Sequence, residues 1–243
     1  MCLVKPTSER QGKIMQADPQ DPSPSDAARP KVQAHLVLLA LVGVCGGVEL
    51  VLVAADYGLI GTPRWRGLAY QNGAFWAGLL YNWRPNYAAQ PGLMFVTYAF
   101  LHSGLGHLAG NMLTLFFLGP IVQERVGQRW FAAIYALSAI GGAVGFAVLS
   151  SSAQSMVGAS GALFGLAGAW QYWEWSDLRR AGRGTWVVWR TMLALVFLNA
   201  VLWVWNDQQL AWEAHLGGFI TGWLGAAMLM RRGTGGQRVT DET

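Results

Sequence analysis

From Trp130 to Trp173 the chain runs for 44 residues without an Asp, Glu, Lys or Arg. Helical throughout, that stretch would be about 66 Å long, roughly twice the 30 Å hydrocarbon core of a bilayer. A polar run, Ser150, Ser151, Ser152, Ala153, Gln154 and Ser155, interrupts it, so it reads as two membrane spans joined by a short turn. A second charge-free stretch extends from Pro85 to Gln123. Of 17 basic and 13 acidic side chains, 16 fall in the 199 residues from 32 to 230. No water-exposed surface can be built at that density. With 53% apolar residues, 12% charged residues and a mean hydropathy of +0.30, the composition excludes a soluble globule.

A spanning helix needs roughly 20 apolar residues, and by that measure the 243 residues hold six spans. The first covers about 34–55 and tolerates Glu49; the second covers about 105–123; the third and fourth divide 130–173; the fifth and sixth cover about 186–205 and 212–230. The expected fold is an all-α membrane protein. Residues 1–33 carry five of the nine prolines with mixed charge and cannot bury enough surface to fold alone, so they read as a disordered cytoplasmic tail. They lack the basic start, apolar run and small-residue cleavage site of a signal peptide, and the first helix is expected to persist in the mature protein. The remaining expected boundaries are a membrane domain over 34–230 and a polar tail over 231–243. Between the first two spans, some 45 residues with Trp65, Arg66, Trp76, Trp83 and Arg84 are too polar to cross and too aromatic for a plain linker. Trp and Tyr favour the bilayer interface, so this loop should lie partly in the headgroup layer.

A cytoplasmic amino terminus would place 14 of the 17 Lys and Arg residues on the cytoplasmic side, leaving Arg64, Arg66 and Arg84 outside. The positive-inside rule thus predicts a multi-pass protein with both termini cytoplasmic, in a cell or inner membrane. Basic residues scattered between apolar segments form no stripe for nucleic acid. Cys2 and Cys45 provide no disulfide framework.

Polar groups inside spans are costly and therefore functional candidates. Those singled out are His102, His107 and Asn111 at the start of span two, Ser160 at the start of span four and His215 at the start of span six. Parity brings the starts of spans two, four and six to the same leaflet, so the three groups can share a site. Gly161 and Gly165 on span four, and Gly218 and Gly222 on span six, repeat a four-residue spacing that lets helices approach closely. Ser160 and His215 can then reach the roughly 2.6–3.2 Å that serine activation needs. The nearest acids are Asp207 and Glu213, and Glu213 lies on a different side of the helix from His215. A Ser–His dyad is favoured over a triad, with the imidazole held by packing against Phe164. His107 and Asn111 are i, i+4 on one face and supply two donors for an oxyanion, joined by free N–H groups at the start of span four. His35 reads as an interfacial side chain, and the aromatic run Trp170, Tyr172, Trp173, Trp175 as an interfacial belt.

These residues resemble the rhomboid family of intramembrane serine proteases over roughly 94–230. The resemblance rests on "HLAGN" with His107 and Asn111, the "ERVG" turn at 124–127, "GASGALFG" around Ser160 and "AHLGGFITG" around His215, in this order. It implies a six-transmembrane-helix bundle with a large, partly membrane-embedded loop between helices 1 and 2. It further implies a hydrolase without cofactor or metal that cleaves peptide bonds in or near the membrane spans of other proteins. Ser160 would be nucleophile and His215 general base and acid, with His107, Asn111 and the Ser160 amide holding the oxyanion and Gly158, Gly161, Phe164 and Gly218 in support. Trp83–Arg84 looks like the family's dipeptide in the first outer loop, and Phe164 stands where some members carry Tyr. Two rivals are a non-catalytic binder of membrane helices on the same fold and a haem or metal protein using His102, His107 and His215. No HExxH motif supports a metalloprotease.

Overall fold

The computed structural model of the protein describes residues 35–150, 153–205 and 209–237. The expected tail over 1–33, the acid Asp207 and residues 238–243 lie outside the described residues. Apolar segments in lipid must satisfy their backbone amides internally, and coiling into helices does so. Among the described residues there are seven α-helices: α1 (Leu36–Asp56), α2 (Arg64–Gly73), α3 (Gln90–Thr97), α4 (Leu105–Leu149), α5 (Ser160–Arg180), α6 (Trp186–Trp205) and α7 (Trp212–Gln237). Three stretches, Leu36–Asp56, Leu105–Leu149 and Trp186–Val204, are long and apolar enough to cross a membrane. α5 and α7 do not meet that measure. α5 carries acidic and basic residues in its last turns, α7 ends in a polar stretch, and both are rich in glycine where they pack on other helices.

α4 is 45 residues long but is not one rod, because Gly127 breaks it at φ 76°, ψ 168°. That conformation suits a residue without a Cβ, and it falls at the "ERVG" turn. Both ends of α4 meet the segment around the start of α5. A Cβ on Gly158 would lie 2.7 Å from the His107 ring, and one on Gly142 would lie 3.3 Å from the Gly161 Cα. A straight helix would hold residues 107 and 142 about 52 Å apart, so the chain doubles back at Gly127, giving α4 two arms.

α5 lies at the centre, with most of its first ten residues buried. A Cβ on Gly218 or Gly222 of α7 would collide with the carbonyl oxygens of Gly161 and Gly165, and one on Gly168 with the Phe219 carbonyl. These are the glycines whose spacing predicted close helix approach, and α5 and α7 pack backbone to backbone through them. α6 is peripheral: among its described residues Val188 alone is buried, while Val196, Phe197 and Val204 are about two-thirds exposed.

The segment between α1 and α4 is not a plain loop. It contains α2, α3 and two short 3-10 turns, Ala77–Leu80 and Tyr98–Phe100. Glu49, fully buried in α1, receives both terminal nitrogens of Arg66 at 3.0 and 3.1 Å. Arg66 also binds Asp56 through Nε at 2.6 Å and the His102 carbonyl at 3.0 Å, and the Tyr70 hydroxyl donates to that same carbonyl at 2.7 Å. Burial opposes the guanidinium charge, but the hydrogen bonds to Glu49 and Asp56 outweigh it and hold the Arg66 pKa above its ordinary value. The acid that seemed merely tolerated in the first span therefore anchors the segment between α1 and α4. Trp83 stacks over Gly78, tilted against Trp76 at 5.9 Å, and with Arg84 lines a cleft of about 180 Å³ together with Gln71, Asn86 and Gln90. None of the proposed site residues lines that cleft.

Candidate functional site

Ser160 is the first residue of α5 and His215 the fourth of α7. The Ser160 Oγ and His215 Nε2 lie 2.8 Å apart. That separation follows from the glycine contacts that begin at Gly161, next to Ser160, and at Gly218, one turn after His215, and that remove the side chains that would hold the backbones apart. Phe164, one turn after Ser160, stacks on the imidazole with ring centroids 4.2 Å apart and planes within 7°. The ring therefore packs against one face of the imidazole.

Packing is not the whole of it. His215 Nδ1 lies 2.8 Å from the side-chain oxygen of Asn199 on α6. Asn199 was absent from the polar residues singled out in the sequence, although a lone amide within an apolar span was signal enough to include it. A neutral imidazole has one N–H and one bare nitrogen. With the Asn199 oxygen accepting from Nδ1–H, Nε2 is the bare nitrogen and accepts from the Ser160 hydroxyl. The Asn199 contact selects this tautomer, and the Ser160 contact is compatible with it. Glu213 is buried on α7, but the acceptor on Nδ1 is an amide rather than an acid.

His107 and Asn111, on the first turns of α4, close the other side. A Cβ on Gly158 would lie 2.8 Å from His107 Nε2 and 3.6 Å from Asn111 Nδ2, so both donors face the backbone just before Ser160. Gly158 has φ 124°, a second reason for glycine there. Asn111 Nδ2 is buried without a hydrogen-bond partner, and a buried orphan donor is costly unless something fills it. Ser103 supplies the orientation of His107: its hydroxyl lies 3.0 Å from Nδ1, and its backbone N–H donates to Nδ1 at 3.4 Å. With Nδ1 accepting, Nε2 carries the proton and is a donor. Sequence reading also passed over Ser103. The first N–H groups of α5, the helix that Ser160 begins, have no intrahelical acceptor.

The segment leading to Ser160 is held by the chain between α1 and α4. Phe75 and Met156 exchange backbone hydrogen bonds at 2.9 and 3.0 Å, and the Gly158 N–H donates to the Tyr98 carbonyl at 3.0 Å. That chain segment thereby fixes the backbone that carries the serine. His102 is buried beside this pocket, its ring edge-on to His107 at 5.2 Å. Burial, and after it the neighbouring His107, push the His102 imidazole down to about 4.

Residues 89–232, more than half of the chain, match the Rhomboid domain family model. RHOMBOID-like protein 1 of Arabidopsis thaliana is 36% identical over 141 residues, covering 56% of this chain and 34% of that protein. Rhomboid protease GluP of Bacillus subtilis (strain 168) is 35% identical over 131 residues, covering 53% of this chain and 24% of that protein. Putative rhomboid protease YdcA of the same bacterium is 36% identical over 77 residues, covering 32% of this chain and 39% of that protein. The chain thus spans well under half the length of these relatives. Helices apolar enough to cross a bilayer make it an integral membrane protein, and the matched domain contains every residue of the pocket from His102 to His215: the chain belongs to the rhomboid family.

Proposed function

We propose that this chain is an intramembrane serine endopeptidase that cleaves the membrane-spanning segments of other proteins. The observation that carries the proposal is the 2.8 Å separation of Ser160 Oγ and His215 Nε2. In this mechanism Nε2 takes the hydroxyl proton as Oγ attacks the scissile carbonyl carbon. Negative charge collects on the carbonyl oxygen, where Asn111 Nδ2, His107 Nε2–H and the Ser160 N–H receive it; such preorganised donors are each worth about 3 kcal/mol of barrier in serine hydrolases. His215 then returns the proton to the departing amine as the carbon–nitrogen bond breaks, leaving an ester on Ser160. Water, deprotonated by the same Nε2, releases the acid product.

The proposal includes six spans, the two arms of α4 counting as two and α5 and α7 as one each, with both termini cytoplasmic. The small residues of α5 and α7 suit spans sheltered by protein rather than lipid. A non-catalytic binder of membrane helices would have no use for a serine bonded to an oriented histidine. Haem ligation is disfavoured because both nitrogens of His215 already have partners.

Reconstituted protein should hydrolyse a fluorogenic transmembrane substrate, and Ser160→Ala and His215→Ala should each abolish turnover. Unchanged turnover in either variant defeats the reading.

A further inference from the structure

We infer that Asn199 on α6 is a positioning residue that makes the hydrolytic site a Ser160–His215–Asn199 relay; the inference rests on the proposed serine chemistry. Three contacts define the imidazole. Phe164 fixes the plane of the ring, but a stack leaves the ring free to flip about χ2 and exchange its two nitrogens. The Ser160 hydroxyl can donate to a bare nitrogen or accept from a protonated one, so it does not choose between tautomers. The Asn199 oxygen at 2.8 Å from Nδ1 does choose. It accepts and cannot donate, so the proton resides on Nδ1 and Nε2 stays bare toward Ser160. A neutral amide does this without placing a carboxylate in an apolar span, where a charge costs about 2.5 to 3.5 kcal/mol on insertion scales.

The residue's position adds a consequence. α5 and α7, which carry Ser160 and His215, are locked backbone to backbone, whereas α6 is exposed along most of its length. The acceptor on Nδ1 therefore comes from the least embedded element of the site, and the relay is complete when α6 is seated. The groups facing the ring are Ser160 and Phe164 from α5 and Asn199 from α6. His107 of α4 is the titratable group that acts on it electrostatically, and Glu213 is the acid on its own helix.

The test compares wild type with Asn199→Leu and Asn199→Asp, full chain in liposomes, with Ser160→Ala as the blank. Asn199→Leu keeps the branched shape, with two methyl groups in place of the amide oxygen and nitrogen, and removes the acceptor. It should lower kcat by about ten- to a hundredfold with KM changed less than about twofold, and move the acid limb of kcat/KM to lower pH because the imidazolium loses its acceptor. Asn199→Asp should move that limb upward by about one to two pH units and retain more activity than Asn199→Leu above it. The rate at which a fluorophosphonate labels Ser160 should follow the same order and the same pH shifts, which gives a second readout if Asn199→Asp accumulates poorly. Profiles that superimpose on wild type, or activity losses without any shift of the acid limb, overturn the positioning role. Residual turnover in Ser160→Ala would instead remove the serine chemistry beneath it, so the two failures are distinguishable.

Discussion

At the scale of single residues, the pocket is defined by what each ring nitrogen touches. Ser103 sets His107 as a donor, and the Ser160 contact on Nε2 matches the tautomer that an acceptor on Nδ1 requires. The Phe164 stack should contribute orientation rather than acid–base chemistry. Phe164→Ala is expected to lower kcat by about three- to tenfold, the kinetic equivalent of an aromatic pair worth roughly 0.5–1.5 kcal/mol, whereas Phe164→Tyr should hold the wild-type rate; steady-state kinetics with one substrate decides it. His102 gives a pH prediction. Its unfolded imidazole takes up a proton near pH 6.5, while the folded one resists until about 4. The unfolded state binds more protons between those values, so the contribution is intact above pH 6.5 and is lost as pH falls toward 4, by on the order of 2 to 3 kcal/mol. Thermal unfolding in detergent should show a midpoint that declines across that window, with a shallower decline in His102→Gln.

At the scale of elements, close approach of α5 and α7 is what makes a 2.8 Å contact possible between side chains 55 residues apart. Gly222 and Gly225 separate two roles of glycine on one helix: a Cβ on Gly222 would strike the Gly165 carbonyl, while one on Gly225 meets nothing within 4 Å. Gly222→Leu should therefore abolish folded protein and Gly225→Leu should leave expression and melting nearly unchanged, as size-exclusion profiles and thermal shift would record. The segment between α1 and α4 depends on a different interaction. Removing one partner of a buried ion pair typically costs about 3 to 5 kcal/mol because the other charge is left without compensation. Arg66→Met should accordingly destabilise the protein by that order, and Glu49→Leu combined with Arg66→Met should recover much of the loss; denaturant or thermal unfolding of the two variants measures it.

At the scale of the whole molecule, the proposed peptidase chemistry requires that a site at the helix starts, walled by the segment between α1 and α4, receive a peptide whose carbonyls are accessible. A helical substrate hides them in its own hydrogen bonds. Substrate spans with glycine or other helix-breaking residues near the cut should be cleaved faster than a uniform poly-leucine span, and equal rates on the two in a gel-based cleavage assay would contradict the unwinding step.

The class of protein, its apolar segments and most of the pocket were legible in the chain itself. Charge depletion and hydropathy are summed over tens of residues and survive any detail of packing, and a histidine or serine inside an apolar run stands out wherever it points. Parity and glycine spacing made a meeting of Ser160 and His215 geometrically possible, and their side chains lie 2.8 Å apart. Asn199, Ser103 and the Glu49–Arg66 pair were not recognised for their roles. Each depends on how one helix is rotated about its axis against another, about 100° per residue, and on the path of a 48-residue segment between α1 and α4. Hydropathy carries no information about that rotation. Packing alone decides which buried acid meets a guanidinium, and which side-chain oxygen faces the second nitrogen of a histidine.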